Sequence, residues 1–440
     1  MSAGSVAVVG AGAAGLTAAI RAAESGAHVT LLNAHPKVGL KILMSGGTRC
    51  NVTHREVTAA DYFGGSRNVV ARILRAFTPD QTREWFESLG VALKLEDTGK
   101  YFPVTDDAQT VLDALLRECS RLGVELRAGA RVVHIDVEGE RSETERRVGE
   151  APPNAVGRRF RLGIQHVKDA AVFSSKSTPV PDEFLDADAV ILATGGLSFP
   201  RTGSDGVGYQ LARWLGHSIV PTVPALTPLT SEEPWCMMLK GLSVDAELTL
   251  RVNDKVEAKT RGSLLLTHFG YSGPAALDLS RHWLRAEGRG VVTVSLSVAP
   301  GETRESLEKQ WLGASKDPRL AVRRHLGVWL PDRLVVTLCA EAGVGPSLKL
   351  TQVPRERRRE LIELLVSRPL RISGTLGFEK AEVTAGGVPL EEVNASTLES
   401  RRCAGLFLCG EILDVEGRLG GFNFQWAWSS GMVAGRAASM

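Results

Sequence analysis

Apolar residues cluster in short runs separated by glycine turns, and the first of these carries most of the information. Residues Ser5–Val9 form an apolar, β-branched run that breaks off at Gly10-Ala11-Gly12-Ala13-Ala14-Gly15. Apolar positions then return at helical spacing (Leu16, Ala19, Ile20, Ala23) until Gly26, and residues 29–32 form a second apolar strand. The order strand, glycine turn, helix, strand is a βαβ unit with G-x-G-x-x-G in its required context. Gly10 permits the tight turn, Gly12 lets the backbone approach a pyrophosphate, and Gly15 lets the helix pack on the strand. Ala13 and Ala14 open a helix whose unpaired N–H groups and partial positive charge face the anion.

Two later runs have the same buried-strand character. Ala189–Leu192 ends in the small residues Ala193, Thr194, Gly195 and Gly196. Residues 406–414 form a late strand through Cys409, Gly410, Glu411 and Asp414, followed by Gly417, Gly420, Gly421, Asn423 and Phe424 and by a helix over 425–438. Between them, residues 221–371 alternate strand-like runs (246–252, 263–267, 291–298) with helices near 273–287, 302–312, 317–326, 332–342 and 353–367.

The βαβ unit implies a dinucleotide, and three segments favour FAD over NAD. Gly39-Leu40-Lys41 leads into Ser45-Gly46-Gly47-Thr48-Arg49-Cys50-Asn51-Val52-Thr53, too small and polar for a core strand and suited to wrap a phosphate or a flavin edge. The 189–196 strand returns to the nucleotide sheet with small residues at its end. Asp414 is placed to accept from ribityl hydroxyls, and the last helix points its positive end at the flavin N1–C2=O edge. Val132 completes the expected cofactor contacts. One position departs from pattern. The second strand ends in Asn33 where an acid normally accepts from the adenosine ribose; the alternative is a strand-end turn residue.

Composition narrows the function. The chain has 440 residues, 43% hydrophobic, 23% charged, with a formal net charge of +2, so no basic footprint for nucleic acid is expected. Its 6 cysteines contain no C-x-x-C pair, which speaks against zinc, a redox dithiol or a disulfide framework. No apolar run reaches the roughly 18 residues that span a bilayer. Residue 5 already begins a strand, without the charged region of a signal peptide, and a cytoplasmic location is expected. No second G-x-G-x-x-G is visible for a nicotinamide cofactor, which would dock transiently as NAD(P)H. The oligomeric state is not legible.

These segments resemble the bacterial NAD(P)/FAD-dependent oxidoreductase family that includes aminoacetone-oxidase-like and bile-acid-intermediate-reductase-like flavoproteins. The resemblance runs through the 41–53 block, Tyr101-Phe102-Pro103, residues 200–206, 267–274, 383–388 and 410–431. It departs at Asn33, at Thr48 within what is usually a Gly-Gly-Gly-Arg run, and in a polar segment near 138–158. It implies an α/β fold: a discontinuous, Rossmann-like FAD domain of the two-dinucleotide-binding type (1–135, 186–220 and 372–440). A β-arm with a mobile excursion (136–185) and an inserted β-barrel-like plus helical substrate domain (221–371) complete it. The expected activity is non-covalent FAD chemistry on a small molecule, reducing an activated double bond with NAD(P)H. An oxygen-using amine oxidase, a non-catalytic redox sensor and a tRNA-modifying flavoprotein stay open as alternatives. Tyr101, His268 and Arg49 are the candidate catalytic residues. Lys41, Cys50, Asn51 and Tyr271 are further candidates near the isoalloxazine, and no metal ligands are expected.

Overall fold

The computed structural model describes residues 4–137, 159–168 and 180–440; the excursion expected near 138–158 lies outside the described residues. The chain divides into two compact units, Met1–Thr222 with Val383–Met440, and Val223–Glu382.

Unit 1 is built on a five-stranded parallel sheet in the order Leu406–Leu408, Ala189–Leu192, β1 (Ser5–Val9), β2 (His28–Asn33), Glu125–Ala128. Its three central segments read as unbroken apolar runs because both faces of a parallel sheet are covered. Helix α1 (Ala13–Glu24) is the crossover from β1 to β2. A three-stranded antiparallel sheet (Ala130–Val137, Phe160–His166, Glu183–Ala187) stands beside it, with Val132 buried within.

The C-terminal helix, Phe422–Ala438, starts three residues before the expected 425 and lies directly against α1. Gly431 and Gly435 sit one turn apart on its contact face. A Cβ on Gly431 would lie 2.6 Å from the Ala14 carbonyl oxygen, and one on Gly435 would lie 2.3 Å from that of Ala18. The helices therefore meet backbone to backbone. From the same helix, the Trp428 indole donates to the Val52 carbonyl at 2.8 Å and the Trp426 indole to the Gly410 carbonyl at 3.1 Å. Gln425, wholly buried, accepts from Thr53 and Thr82 hydroxyls and donates to the Phe77 carbonyl.

At the other side of unit 1, His217 is buried between Glu392 and Ser400. Ser400 Oγ accepts the N–H groups of Arg402 (3.0 Å) and Cys403 (2.9 Å), so its own proton goes to His217 Nε2 at 2.7 Å. Nδ1–H then donates to Glu392 Oε2 at 2.8 Å. This is the order of a serine–histidine–acid triad, but Ser400 is only 7% exposed and its oxygen is already occupied, so it is a structural knot. Burial pushes the imidazole below its ordinary value, against the pull of Glu392.

Unit 2 carries a seven-stranded sheet in the order Arg368–Leu370, Val292–Ser297, Ser243–Val252, Lys255–Thr267, Gly270–Ser272, Leu229–Thr230, Gly374–Thr375. Only residues 371–373 separate its two edge strands in sequence, so the sheet curls until its edges are chain neighbours. The strand expected over 263–267 runs back to Lys255, paired along its length with Ser243–Val252. Charged Glu257, Lys259 and Arg261 hid its first half. The helix expected over 317–326 begins only at Val322. The late strand expected over 406–414 stops at Leu408, where Gly410 (φ +77°) turns the chain into a 3-10 segment.

Gly435→Ala gains about 1 kcal/mol of helix propensity but drives a methyl into an immobile carbonyl. The net effect should be a loss of about 2 kcal/mol in urea unfolding. Gly313→Ala, with open space around it in the Arg304–Ala314 helix, should instead stabilise by up to about 1 kcal/mol. The His217 knot favours neutral imidazole, so its contribution is full above about pH 6.5 and is lost as pH falls below it. The urea midpoint of the wild type should drop as pH falls below about 6.5. His217→Gln should start lower at neutral pH and fall less.

Candidate cofactor-binding site

The three glycines of the first turn have three different surroundings. Gly10 takes φ +107°, and a Cβ there would lie 2.4 Å from the Ala193 carbonyl oxygen. A Cβ on Gly15 would lie 1.7 Å from the Gly10 carbonyl oxygen, so α1 packs only with glycine there. Gly12, the N-cap of α1, has nothing within 4 Å of its missing Cβ and no side-chain cap. It leaves an open cradle in front of the amides of Ala13 and Ala14, where a pyrophosphate fits.

Asn33 is committed locally. Its Oδ1 accepts the Ala11 N–H at 3.2 Å, and its Nδ2 donates to the carbonyls of His35 (2.6 Å) and Lys37 (3.2 Å). A carboxylate has no protons to give those carbonyls, so the amide builds the strand-end turn and retains one lone pair on Oδ1.

The segment expected to be loop over 39–53 contains a short helix, Leu40–Met44, and then a left-handed run at Gly46 (φ +55°), Gly47 (φ +68°) and Thr48 (φ +70°), with Cys50 at φ +61°. Two glycines take this without strain; a β-branched Thr48 stores on the order of 1–2 kcal/mol. Ser45 Oγ donates to the Ile42 carbonyl at 2.8 Å and closes the helix. Cys50 is wholly buried and burial pushes its thiol up to about 12, so it packs and is no nucleophile. The Arg49 guanidinium lies 4.0 Å over the Phe102 ring and pairs with Glu96 at 2.7 Å and Asp106 at 3.4 Å.

One cluster joins the three segments singled out from the sequence. Lys41 Nζ donates to Glu411 Oε2 and to Ser198 Oγ, both at 2.6 Å. Glu411 Oε1 accepts from Ser198 Oγ at 2.6 Å and from the Thr384 N–H at 2.9 Å. Thr384 Oγ1 in turn accepts the N–H groups of Leu197 and Ser198. Lys41 and Glu411 thus satisfy each other. Ser198 and Thr384 were not anticipated as site residues; their only sequence signal is their place beside Gly196 and within the 383–388 block.

The remaining positions lie on the strand ends and turns of unit 1. Gly410 (φ +77°) would touch the Ala14 methyl with a Cβ at 2.7 Å. Gly195 (φ +73°) abuts Ser204, and Thr194 Oγ1 fills the space beside Gly208. Asp414 is buried next to Gly64, and its carbonyl accepts the Gly65 N–H at 2.8 Å. The Asn423 carboxamide pairs with both the N–H (2.8 Å) and carbonyl (3.0 Å) of Gly417, and Phe424 stacks on Trp428. Gly420 (φ +137°) and Gly421 (φ +92°) lead into the helix. Tyr101 is half-buried and its carbonyl holds the Val52 N–H at 2.9 Å. Among the described residues, Asn51 Oδ1 and the hydroxyl of Tyr209, a residue the sequence reading missed, are buried without a hydrogen-bond partner. Burial, with the carboxylates of Glu411, Asp414 and Glu416 nearby, pushes the Tyr209 phenol up. An open phosphate cradle and orphaned buried polar atoms fit a long, polar, dinucleotide cofactor such as FAD.

His268 and Tyr271 belong to unit 2. His268 is exposed against Phe269. Tyr271 is buried, donates to Glu233 at 2.7 Å and accepts from the Trp235 indole at 2.8 Å, so its hydroxyl is spent inside that unit. Arg368 stacks 3.8 Å over Trp235 and pairs with Glu233 and Glu341, bracing the walls of a cleft of about 550 Å³. Among the described residues, no cluster of three His, Cys, Asp or Glu is placed to hold a metal, and no helix is long and apolar enough to cross a membrane.

The chain is 33% identical over 439 residues to the 3-dehydro-bile acid delta(4,6)-reductase of Clostridium scindens, covering 99% of this chain and 98% of that protein. It is 32% identical to the ribosomal RNA dihydrouridine synthase of Escherichia coli, covering 96% and 95% respectively. Among solved structures it is similar to the 3-ketosteroid-delta4-(5alpha)-dehydrogenase of Rhodococcus jostii RHA1, with TM-score 0.45 and 16% identity over 99% of this chain and 96% of that one. The HI0933-like protein Rossmann domain family matches residues 4–151 and 154–437. With a parallel βαβ sheet, a glycine cradle and this near-complete match, the chain belongs to the HI0933-like family, and its first unit is a Rossmann-type FAD-binding domain.

Proposed function

We propose that this FAD-dependent oxidoreductase reduces a carbon–carbon double bond conjugated to a carbonyl, using NAD(P)H as hydride source. The observation that carries the reading is the pair of whole-length relatives. One is named for reducing a 3-dehydro bile acid and the other for making dihydrouridine, and both names denote saturation of a ring double bond. Bound flavin, held by the Gly10–Gly15 turn, the 45–53 loop and the amino end of the last helix, would supply the two-electron chemistry that carries reducing equivalents from a nicotinamide to the acceptor.

The protein's part is to orient, to exclude water and to move one proton. Hydride addition at the β-carbon puts negative charge on the carbonyl oxygen, and the α-carbon then takes a proton. Lys41 and Arg49 are neutralised by Glu411 and by Glu96 with Asp106, so they frame the site more than they charge it. Tyr101 is the proposed proton donor, half-buried on the Lys100–Pro103 strand beside the 45–53 loop. The acceptor is a planar cyclic enone of steroid size. A second reading, uridine within RNA, is favoured by the relatives named ribosomal RNA dihydrouridine synthase from two organisms, 32% and 31% identical over 96% of this chain.

Anaerobic mixing tests it. NADPH or NADH should bleach the flavin within seconds, and a 3-oxo-Δ4 or Δ4,6 steroid should restore its colour while forming the saturated product. Recolouring by a uridine-containing rRNA fragment, and not by the steroid, would select the second reading. A flavin that refuses both nicotinamides but yields peroxide with amines in air would replace reduction by amine oxidation.

A further inference from the structure

Asn51 sits in the 45–53 loop with 8% exposure, and its Oδ1 is buried without a hydrogen-bond partner. Buried amide oxygens in folded interiors are nearly always paired, so this one points to a donor from outside the chain. Its position narrows that donor. A Cβ on Gly421 would lie 2.7 Å from Oδ1, which places Asn51 beside the N-cap of the 17-residue Phe422–Ala438 helix. That cap has no side-chain partner, and the first intrahelical bond belongs to Gln425 N–H, on the Gly421 carbonyl. The amides of Phe422, Asn423 and Phe424 thus face outward from the helix end. Asn423, the nearest polar side chain, is already paired with Gly417.

An acceptor, the donor Nδ2 on the same carboxamide, and a set of backbone donors therefore lie side by side. Their complement is an N–H flanked by carbonyls, that is, a cyclic imide. A carboxylate or phosphate ligand offers acceptors alone and leaves Oδ1 facing like charge. An acid at position 51 would neutralise the helix end, whereas the amide leaves its partial positive charge for a ligand carbonyl. The glycines enforce the arrangement: at Gly421 a side chain would strike Thr53, and at Gly46 it would come within 3.0 Å of the Asn51 nitrogen.

We propose that Asn51 and the amino end of the last helix form an imide-reading site, in which Oδ1 accepts the ligand N–H and the helix amides take a flanking carbonyl. The occupant is the pyrimidine edge of the flavin. The proposal rests on the FAD reading above and deepens it. It is assigned to the cofactor because the same helix, through Trp426 and Ser430, holds Gly410 against the phosphate-cradle helix. A uracil base carries the same imide and is the other source of this chemistry.

The test needs no turnover. Protein stripped of flavin is titrated with FAD and with N3-methyl-FAD, which lacks the imide proton, following fluorescence quenching. Wild type should hold the methylated cofactor about 10- to 100-fold more weakly. Asn51→Ala should bind the two within about twofold of each other, and Asn51→Asp, near-isosteric and retaining an acceptor, should restore the discrimination. Equal binding of both cofactors by wild type, or an undiminished methyl penalty in Asn51→Ala, overturns the proposal while leaving FAD as the cofactor. Failure of wild type to bind FAD at all overturns the underlying reading instead. Indifference to methylation, with uridine bound by wild type and lost in Asn51→Ala, moves the imide to the substrate and overturns the flavin as occupant.

Discussion

The contact on which unit 1 depends is the glycine-spaced crossing of α1 and the C-terminal helix. Gly431 and Gly435 allow two backbones to meet where any side chain would hold them apart. That crossing sets the depth at which the last helix lies, and hence where Gly410, Gly421 and Asn51 fall relative to the phosphate cradle. The indoles of Trp426 and Trp428 then convert position into order, each donating to a main-chain carbonyl of a different segment. Dispersion, burial and hydrogen bonding act on the same few residues, and so their loss is coupled.

A second theme is that the two basic side chains of the 39–53 segment are paired with acids. Lys41 answers Glu411, and Arg49 answers Glu96 and Asp106. Beside them stand neutral groups suited to a ligand: an asparagine oxygen, a tyrosine hydroxyl, and the amides of two helix ends. Such groups hold one geometry through a change of ligand charge, since none of them titrates near neutrality. Buried Cys50 adds no thiolate.

The βαβ unit was legible in the sequence because its glycines and apolar runs are local signals. The loop at 45–53 and the strands that begin at residues 189 and 406 were legible for the same reason, although the second was expected to run to 414 and stops at Leu408. The Lys41–Ser198–Glu411 cluster was not, because its members are separated by up to 370 positions and none is unusual in its own segment. Asn33 was read with two roles open; the partners Ala11, His35 and Lys37 that fill its hydrogen bonds are visible only in three dimensions. The first half of the Lys255–Thr267 strand was hidden by its outward charges. Gly431 and Gly435 carry no local signal, because the Ala14 and Ala18 backbone that requires them lies at the other end of the chain.

The crossing also orders events in time. Residues 13–24 emerge from the ribosome long before their partner helix at 422–438, and the cluster around Glu411 waits equally long for its lysine's counter-ion. Unit 2, contiguous from Val223 to Glu382, has all of its sheet strands at hand before then. Non-local contacts of this kind form late and slowly. The first half of unit 1 therefore passes through synthesis before the final helix that covers its glycine loop is available.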